Sequence, residues 1–541
     1  MDLTTISQKI ELSANYIIDR VLSANRQDAE KLSKVAAITL ATYFVSSKLY
    51  DAFVGPLSNI PGPFLFKFYP SRYSWNMESP PGSAYAKLQA WQTQYGDVVR
   101  LGPNSVCVAD KEMLRQILLK DDIPKGPAYK RLQRQGGGTL FSTVDKSFHK
   151  QRVSGYPKFT SFIIIMRRVI SPAFSIKYLN SLEPYMLTTT ENFIKRIDQD
   201  IEKTKRSDGY GKVDVWILLQ YLALDIIGET AFGKTFHMLE GKDHIVPTAI
   251  SLGMETANYL VTHPISGVIK TLFSFSDIVK SNAQLKQFMK EIILERLEAG
   301  EEARRDDILQ ILIDTQHAHD TEDRLTAEAI AQETVLFLIA GSETTSNTTG
   351  FVIINLLKNP HVLATLRQEI DSVEMEKGQT LFKHEQLKNL PYLNAVINET
   401  MRMDSIAVNG VERTTDRDMV VGGRVFLPKG VVVHCNMYHA QMNPKYWPEP
   451  MQFRPERWLQ GSKIPADTEA FFPFSIGSRN CVGKGFAQIE MRVSVANLVK
   501  MYDFEAIPQE MKQSDERRSF ITYGVTSNRF NVYMKRREQT S

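Results

Sequence analysis

The chain has 541 residues, 43% hydrophobic and 23% charged, so a large core can form and disorder is excluded as its main state. Lysine and arginine total 65 against 61 acids; a net charge of +4 does not argue for nucleic acid and suits an acidic partner or a membrane surface. Three cysteines without a C-x-x-C pair exclude a disulfide scaffold and a cysteine-rich zinc module, and they fit a reducing compartment.

Residues 1–34 mix both charge signs and lack the basic start of a signal peptide. Val35–Val45 then runs without a charge, yet a spanning helix needs about twenty apolar residues. Extension to Val54 takes in Lys48 and Asp51, so 35–54 fits a short interfacial or buried helix as well as a span; its position favours membrane attachment. Pro56 and Pro61-Gly62-Pro63 end any helix and form a stiff elbow. The chain therefore divides into an N-terminal segment, 1–63, and a globular body, 64–541, without repeats or further linkers. Asp97–Leu101 and Ser105–Val108 predict two strands around a Gly102-Pro103-Asn104 turn. Helical spacing with charged faces fills much of 175–320. A long helix is predicted from the cap Thr326 to Asn359, where Pro360 stops it. At 1.5 Å per residue it would be about 50 Å long, enough to cross a whole domain. Its middle, Val335–Ala340, is apolar on every side and so belongs in a core. Val420–Met437 carries β-branched runs around Pro428-Lys429-Gly430. The fold class is mainly α with a minor β-sheet.

Three stretches carry chemistry. Inside the buried helix lies Ala340-Gly341-Ser342-Glu343-Thr344-Thr345, which weakens the helix where it is most buried. Gly341 would admit a flat ligand and Glu343 with Thr344 a proton relay; alone, a packing glycine beside satisfied hydroxyls explains the run better. Glu399 and Arg402 share a helix face, and Phe453–Trp458 can bring Arg457 to the same carboxylate. Most such pairs lie on surfaces, but apolar Leu393–Ile397 points to burial, where the trio would form a rigid lock. The third stretch is Phe472–Gly485. Cys481 precedes a helix predicted over Phe486–Val499, whose dipole favours a thiolate; Gly477 and Gly483 allow tight turns and leave a face bare, and Arg479 adds a cation. Cys107 and Cys435, inside strands, read as core residues.

Residues 474–483 match F-x-x-G-x-R-x-C-x-G, the haem-ligand signature of the cytochrome P450 superfamily, which the chain resembles in its microsomal, fungal form. Residues 340–345 match that family's A-G-x-[DE]-T-[TS], Glu399 and Arg402 its E-x-x-R, and Pro455–Trp458 its P-E-R-[FW], all in the family's order over about 61–535. The resemblance implies haem b held between the long central helix and the cysteine loop. Cys481 would be the axial thiolate on iron, with Phe474 and Gly483 beside the haem and Gly341 over its distal face. Thr344, helped by Glu343, would deliver protons to dioxygen. Arg479, Arg413 and His149 would meet the haem propionates, and Glu399, Arg402 and Arg457 would hold the proximal core. Substrate walls are expected from 120–145, Val335–Ala340, Ser405–Val411 and Phe520–Val525. The implied activity is hydroxylation of a lipophilic small molecule (steroid, terpenoid or fatty-acid-like) with O2. Electrons would come from NADPH through a separate NADPH–cytochrome reductase or a cytochrome b-type donor, docked near Lys484 and Arg492. The location would be the endoplasmic reticulum membrane, with the catalytic domain cytoplasmic. A reductase-independent haem-thiolate peroxide isomerase is the first alternative, and Glu343-Thr344 speak against it. A non-catalytic haem protein disabled by an insertion is the second.

That insertion is a departure from the family pattern H-K-x-R-R-x-I-S-P-A-F-S. Here His149-Lys-Gln-Arg152 begins it and Arg168–Ser175 completes it, with Val153–Arg167 between. Gly155 and Pro157 would break a helix, and Ile163–Met166 has no evident face to bury. The segment reads as foreign to the fold, such as a retained intron translated in frame would leave; a genuine looped insertion is the alternative. If it is foreign, deleting 153–167 raises haem incorporation.

Overall fold

The computed structural model describes residues 26–69, 80–132, 139–144, 170–242, 244–262, 275–300, 304–305, 307–317 and 324–538. His149 and the 153–167 segment lie outside them. The main helices of the described residues are α1 (Arg26–Phe53), α2 (Ala84–Tyr95), α3 (Ile176–Lys203), α4 (Val215–Phe232), α5 (Ile245–Thr262), α6 (Phe275–Ala299), α7 (Ala327–Lys358), α8 (Pro360–Asp371), α9 (Pro391–Met403) and α10 (Lys484–Met501). The strands are β1 (Val98–Gly102), β2 (Ser105–Val108), β3 (Gly211–Asp214), β4 (Val411–Thr414), β5 (Met419–Val421), β6 (Val425–Leu427), β7 (Val432–Cys435), β8 (Tyr502–Glu505), β9 (Arg517–Ser519), β10 (Tyr523–Val525) and β11 (Asn531–Arg536).

The central helix α7 starts where the Thr326 hydroxyl accepts the Ala329 amide at 3.2 Å, and it ends before Pro360 opens α8. Its middle crosses α4, an 18-residue helix apolar on nearly every side. By length and composition α4 could cross a membrane, but it is mostly buried and serves as a core helix. The helix α10 packs on the other flank, against α7, α3, α8 and α9. These contacts place the start of α10 opposite the middle of α7.

A four-stranded sheet, ordered β1-β2-β7-β4, closes one end. Parallel pairing of β2 with β7 sets Cys107 opposite His434 and Val108 opposite Cys435. Both cysteine side chains are fully buried, and burial pushes the Cys435 thiol up to about 12 and Cys107 higher still. Neither can act as a thiolate. The Pro-Gly elbow docks on this sheet: the Arg100 amide donates to Pro61 O at 2.7 Å, and its buried guanidinium donates to the Asp51 and Leu57 carbonyls. Beyond the elbow, α1 exposes Val35, Ile38, Leu40, Tyr43 and Phe44.

Candidate active site

Cys481 stands between a chain reversal and a helix. Ser475 at φ 57° and Gly477 at φ 81° turn the backbone, and a Cβ on Gly477 would fall 1.9 Å from the Leu118 carbonyl oxygen, so only glycine fits there. The Cys481 amide donates to Phe474 O at 2.9 Å and closes the loop; α10 begins at Lys484, capped by Gly483. A Cβ on Gly483 would meet nothing nearer than 3.9 Å, where Cys481 Sγ and Phe174 lie. Space beside the sulfur is therefore kept open rather than packed.

The sulfur faces a cavity of about 360 Å3. Phe174, Phe337, Phe474 and Met401 contribute apolar wall, while α7 contributes Gly341 and Thr344 on the opposite side. Lys125, Arg413 and Arg479 also line it, and no carboxylate does among the described residues. Arg413 is almost fully buried on β4, beside the Tyr129 hydroxyl. One sulfur below, a broad apolar space and cations in the wall suit a haem, whose iron takes a thiolate and whose two carboxylates need cationic partners.

The two relay candidates point different ways. Thr344 lines this cavity, with Oγ1 donating to Ala340 O at 2.8 Å. Glu343 is half-buried, accepts the Thr522 hydroxyl at 2.7 Å, and lines a second cavity of about 410 Å3 with Ser342, Ser346, Gln220 and Tyr221. Burial raises its proton affinity above that of an ordinary carboxyl, against the opposing pull of Thr522 and Arg518.

On α9, Glu399 has 0% exposure and accepts from five donors: Arg402 Nε (2.9 Å) and Nη2 (2.8 Å), Arg457 Nε (3.0 Å), the Trp458 indole (2.9 Å) and the Arg454 amide (3.1 Å). The spare guanidinium nitrogens reach carbonyls, Arg402 that of Gln441 and Arg457 that of Pro448.

Several expectations change. The space left by the missing Gly341 side chain is filled by Ile227 of α4, 2.8 Å from where a Cβ would stand, so this glycine permits a close helix crossing although it also lines the cavity. Residues from 120–145, 335–340 and 405–411 line the cavity, but none from 520–525 does, because the β9–β10 turn lies against Glu343 instead. Arg492 donates to Asn394 Oδ1 at 2.8 Å and is half-buried, whereas Lys484 is exposed on the cysteine side. Lys125 and Tyr129 were not singled out from the sequence, since one lysine and one tyrosine in a loop form no pattern.

A cysteine sulfur under a broad apolar space, with guanidinium groups in its wall and a long helix opposite, defines a haem-thiolate enzyme. The cytochrome P450 family profile matches residues 74–532, and the chain belongs to that family. It is 30% identical over 486 residues to cytochrome P450 monooxygenase LUC2 of a Fusarium species, covering 88% of this chain and 89% of that protein. Similarity to cytochrome P450 monooxygenase FUS8 of Gibberella moniliformis is 26% over 554 residues, covering 99% and 100% of the two chains. Benzoate 4-monooxygenase bphA of Aspergillus niger is 28% identical over 521 residues, covering 90% and 94%. The protein is a haem-thiolate monooxygenase, an oxidoreductase that works with a redox partner on a small molecule.

Proposed function

We propose that the protein hydroxylates a lipophilic molecule of steroid, terpenoid or fatty-acid-like type, with O2 and with electrons from NADPH. Those electrons would pass through a separate flavoprotein reductase or a cytochrome b-type donor, with exposed Lys484 offering an acidic partner a cation near Cys481. The observation that carries the substrate class is the cavity above Cys481, apolar over most of its wall and without a carboxylate for a cationic substrate among the described residues.

Haem b, held by Cys481, would supply dioxygen activation; Arg413 and Arg479, with His149, would take its carboxylates. Phe174 and Phe337, with ring centroids 6.1 Å apart, would help keep water out of the cavity. Thr344 presents a hydroxyl at the cavity wall and passes a proton inward, and Glu343, the preceding residue, stores it. Burial raises the proton affinity of Glu343, which suits that task. Glu399, Arg402 and Arg457 keep the cysteine loop in place without touching substrate.

Attachment to the endoplasmic reticulum membrane, with the catalytic domain in the cytoplasm, is the companion proposal. Its support is the exposed apolar surface of α1, continued past the elbow by Phe64 and Leu65.

Binding spectra and turnover with a reductase test the activity on a panel of a steroid, a terpenoid, a fatty acid and benzoate. The proposal expects a spectral shift with a lipophilic member and an NADPH-dependent product carrying one atom from isotope-labelled dioxygen. Binding confined to benzoate, or turnover that ignores NADPH, contradicts it.

A further inference from the structure

We propose that Thr522 is a positioning residue of the active site, holding the Glu343 carboxyl through its hydroxyl. This rests on Glu343 and Thr344 acting as the proton relay. Thr522 sits in the turn between β9 and β10, and that turn is fastened to its surroundings. Asn347, one turn after Glu343 on α7, donates through Nδ2 to Tyr523 O at 3.1 Å. The Tyr523 amide donates to Ile406 O at 3.0 Å, and its ring packs on Phe351 of α7 with centroids 5.5 Å apart. With Tyr523 held at backbone and ring, its neighbour has little freedom, and the Thr522 hydroxyl stays 2.7 Å from Glu343 Oε2.

The other side of the carboxyl opens to the second cavity, between α4, α5 and α7. Among the described residues, the titratable groups that line this cavity with Glu343 are Tyr221 of α4 and Glu255 of α5, and Arg518 of β9 acts on the carboxyl electrostatically. Arg518 and the Thr522 hydroxyl both favour the ionised form, whereas burial opposes it and prevails. A relay acid has to release its proton as well as hold it, and the hydroxyl is what keeps burial from making release too costly. Among the described residues Thr522 is the one side chain that hydrogen-bonds this carboxyl. The position is also specific to side-chain alternation in the hairpin: Ile521 and Tyr523 pack inwards against the core.

The test uses full-length, haem-loaded protein and an infrared titration of the Glu343 carboxyl band, assigned by its disappearance in Glu343→Gln. In Thr522→Val the midpoint should rise by about one pH unit, or about tenfold in proton affinity, and Thr522→Ser should restore it. The reduced carbon monoxide spectrum should be the same in all three. If the valine variant loses haem, Thr522→Ala is titrated in its place. An unmoved midpoint overturns the proposal, and so does an equal shift in Thr522→Ser, which would reflect packing alone. The relay itself is read separately, as hydrogen peroxide released per NADPH consumed with reductase present. If Glu343→Gln leaves that ratio unchanged the relay fails, whereas the infrared midpoint still decides whether Thr522 governs the carboxyl.

Discussion

The Glu399 cluster and the middle of α7 are built by opposite rules. In the cluster, one fully buried carboxylate meets two fully buried guanidinium groups, an indole and an amide. On α7 the hydroxyls of Ser342, Thr344 and Thr348 return to carbonyls of their own helix at 2.7 to 2.8 Å. Its two inner carboxyls each have one neutral donor among the described residues, the Leu140 amide for Glu333 and the Thr522 hydroxyl for Glu343, both at 2.7 Å. An over-determined cluster cannot change its protonation or geometry cheaply, which suits a mount for a metal ligand. Hydroxyls bonded only to their own helix turn at little cost, and singly held carboxyls can gain or lose protons, which suits a path for protons.

The comparison breaks most visibly at Glu399. Glu399→Ala leaves two buried guanidinium groups without their carboxylate and should cost about 3–5 kcal/mol, seen as a collapse of haem-loaded yield and of the urea midpoint. Removal of Glu333 leaves one amide unanswered and should cost about 1–3 kcal/mol; equal losses would erase the distinction. Next come Thr344→Ala and Glu343→Gln, which should cut product formed per NADPH by about 100-fold while the carbon monoxide spectrum stays unchanged. Loss of haem in either variant would make α7 structural as well.

A smaller effect is expected in the pH dependence of stability. Burial pushes the Glu333 carboxyl up to about 8. Between its unfolded value, about 4.3, and the folded one, the native state holds a proton that the unfolded chain has released. Stability is thus fully present below the unfolded value and falls as pH rises to about 8. Glu333→Gln should flatten this decline, measured as the urea midpoint at successive pH values; an unchanged slope would contradict it. The flattening will be partial because Glu490 on α10 is also pushed up to about 8. The smallest effect belongs to Gly341→Ala. Its Cβ would stand 2.8 Å from Cδ1 and 3.1 Å from Cγ1 of buried Ile227, so that side chain must shift, while alanine gains about 1 kcal/mol of helix propensity; the two offset, and stability should change by less than about 1 kcal/mol in thermal unfolding.

Local signals made part of this legible in the sequence. Thr326 and Pro360 bound α7 within a residue, because a cap and a missing amide act on their own helix. Gly477 was readable as a turn for the same reason. The Glu399–Arg402–Arg457 trio was visible as spacing, but the Trp458 indole and Arg454 amide depend on how the turn at Pro455–Trp458 lies against α9. Gly341 shows the limit: a glycine announces that something comes close, and only the crossing of α4 reveals Ile227. The placement of Thr522, Lys125 and the second cavity likewise depends on contacts far apart in sequence.

The account rests on Cys481 as the metal ligand, and the reduced, carbon monoxide-treated spectrum of Cys481→Ser tests it most directly. Wild-type protein should give the strongly red-shifted Soret band that a thiolate ligand produces, and the variant should lose that band together with monooxygenation. A variant that keeps both would show that the sulfur at this position does not bind the iron.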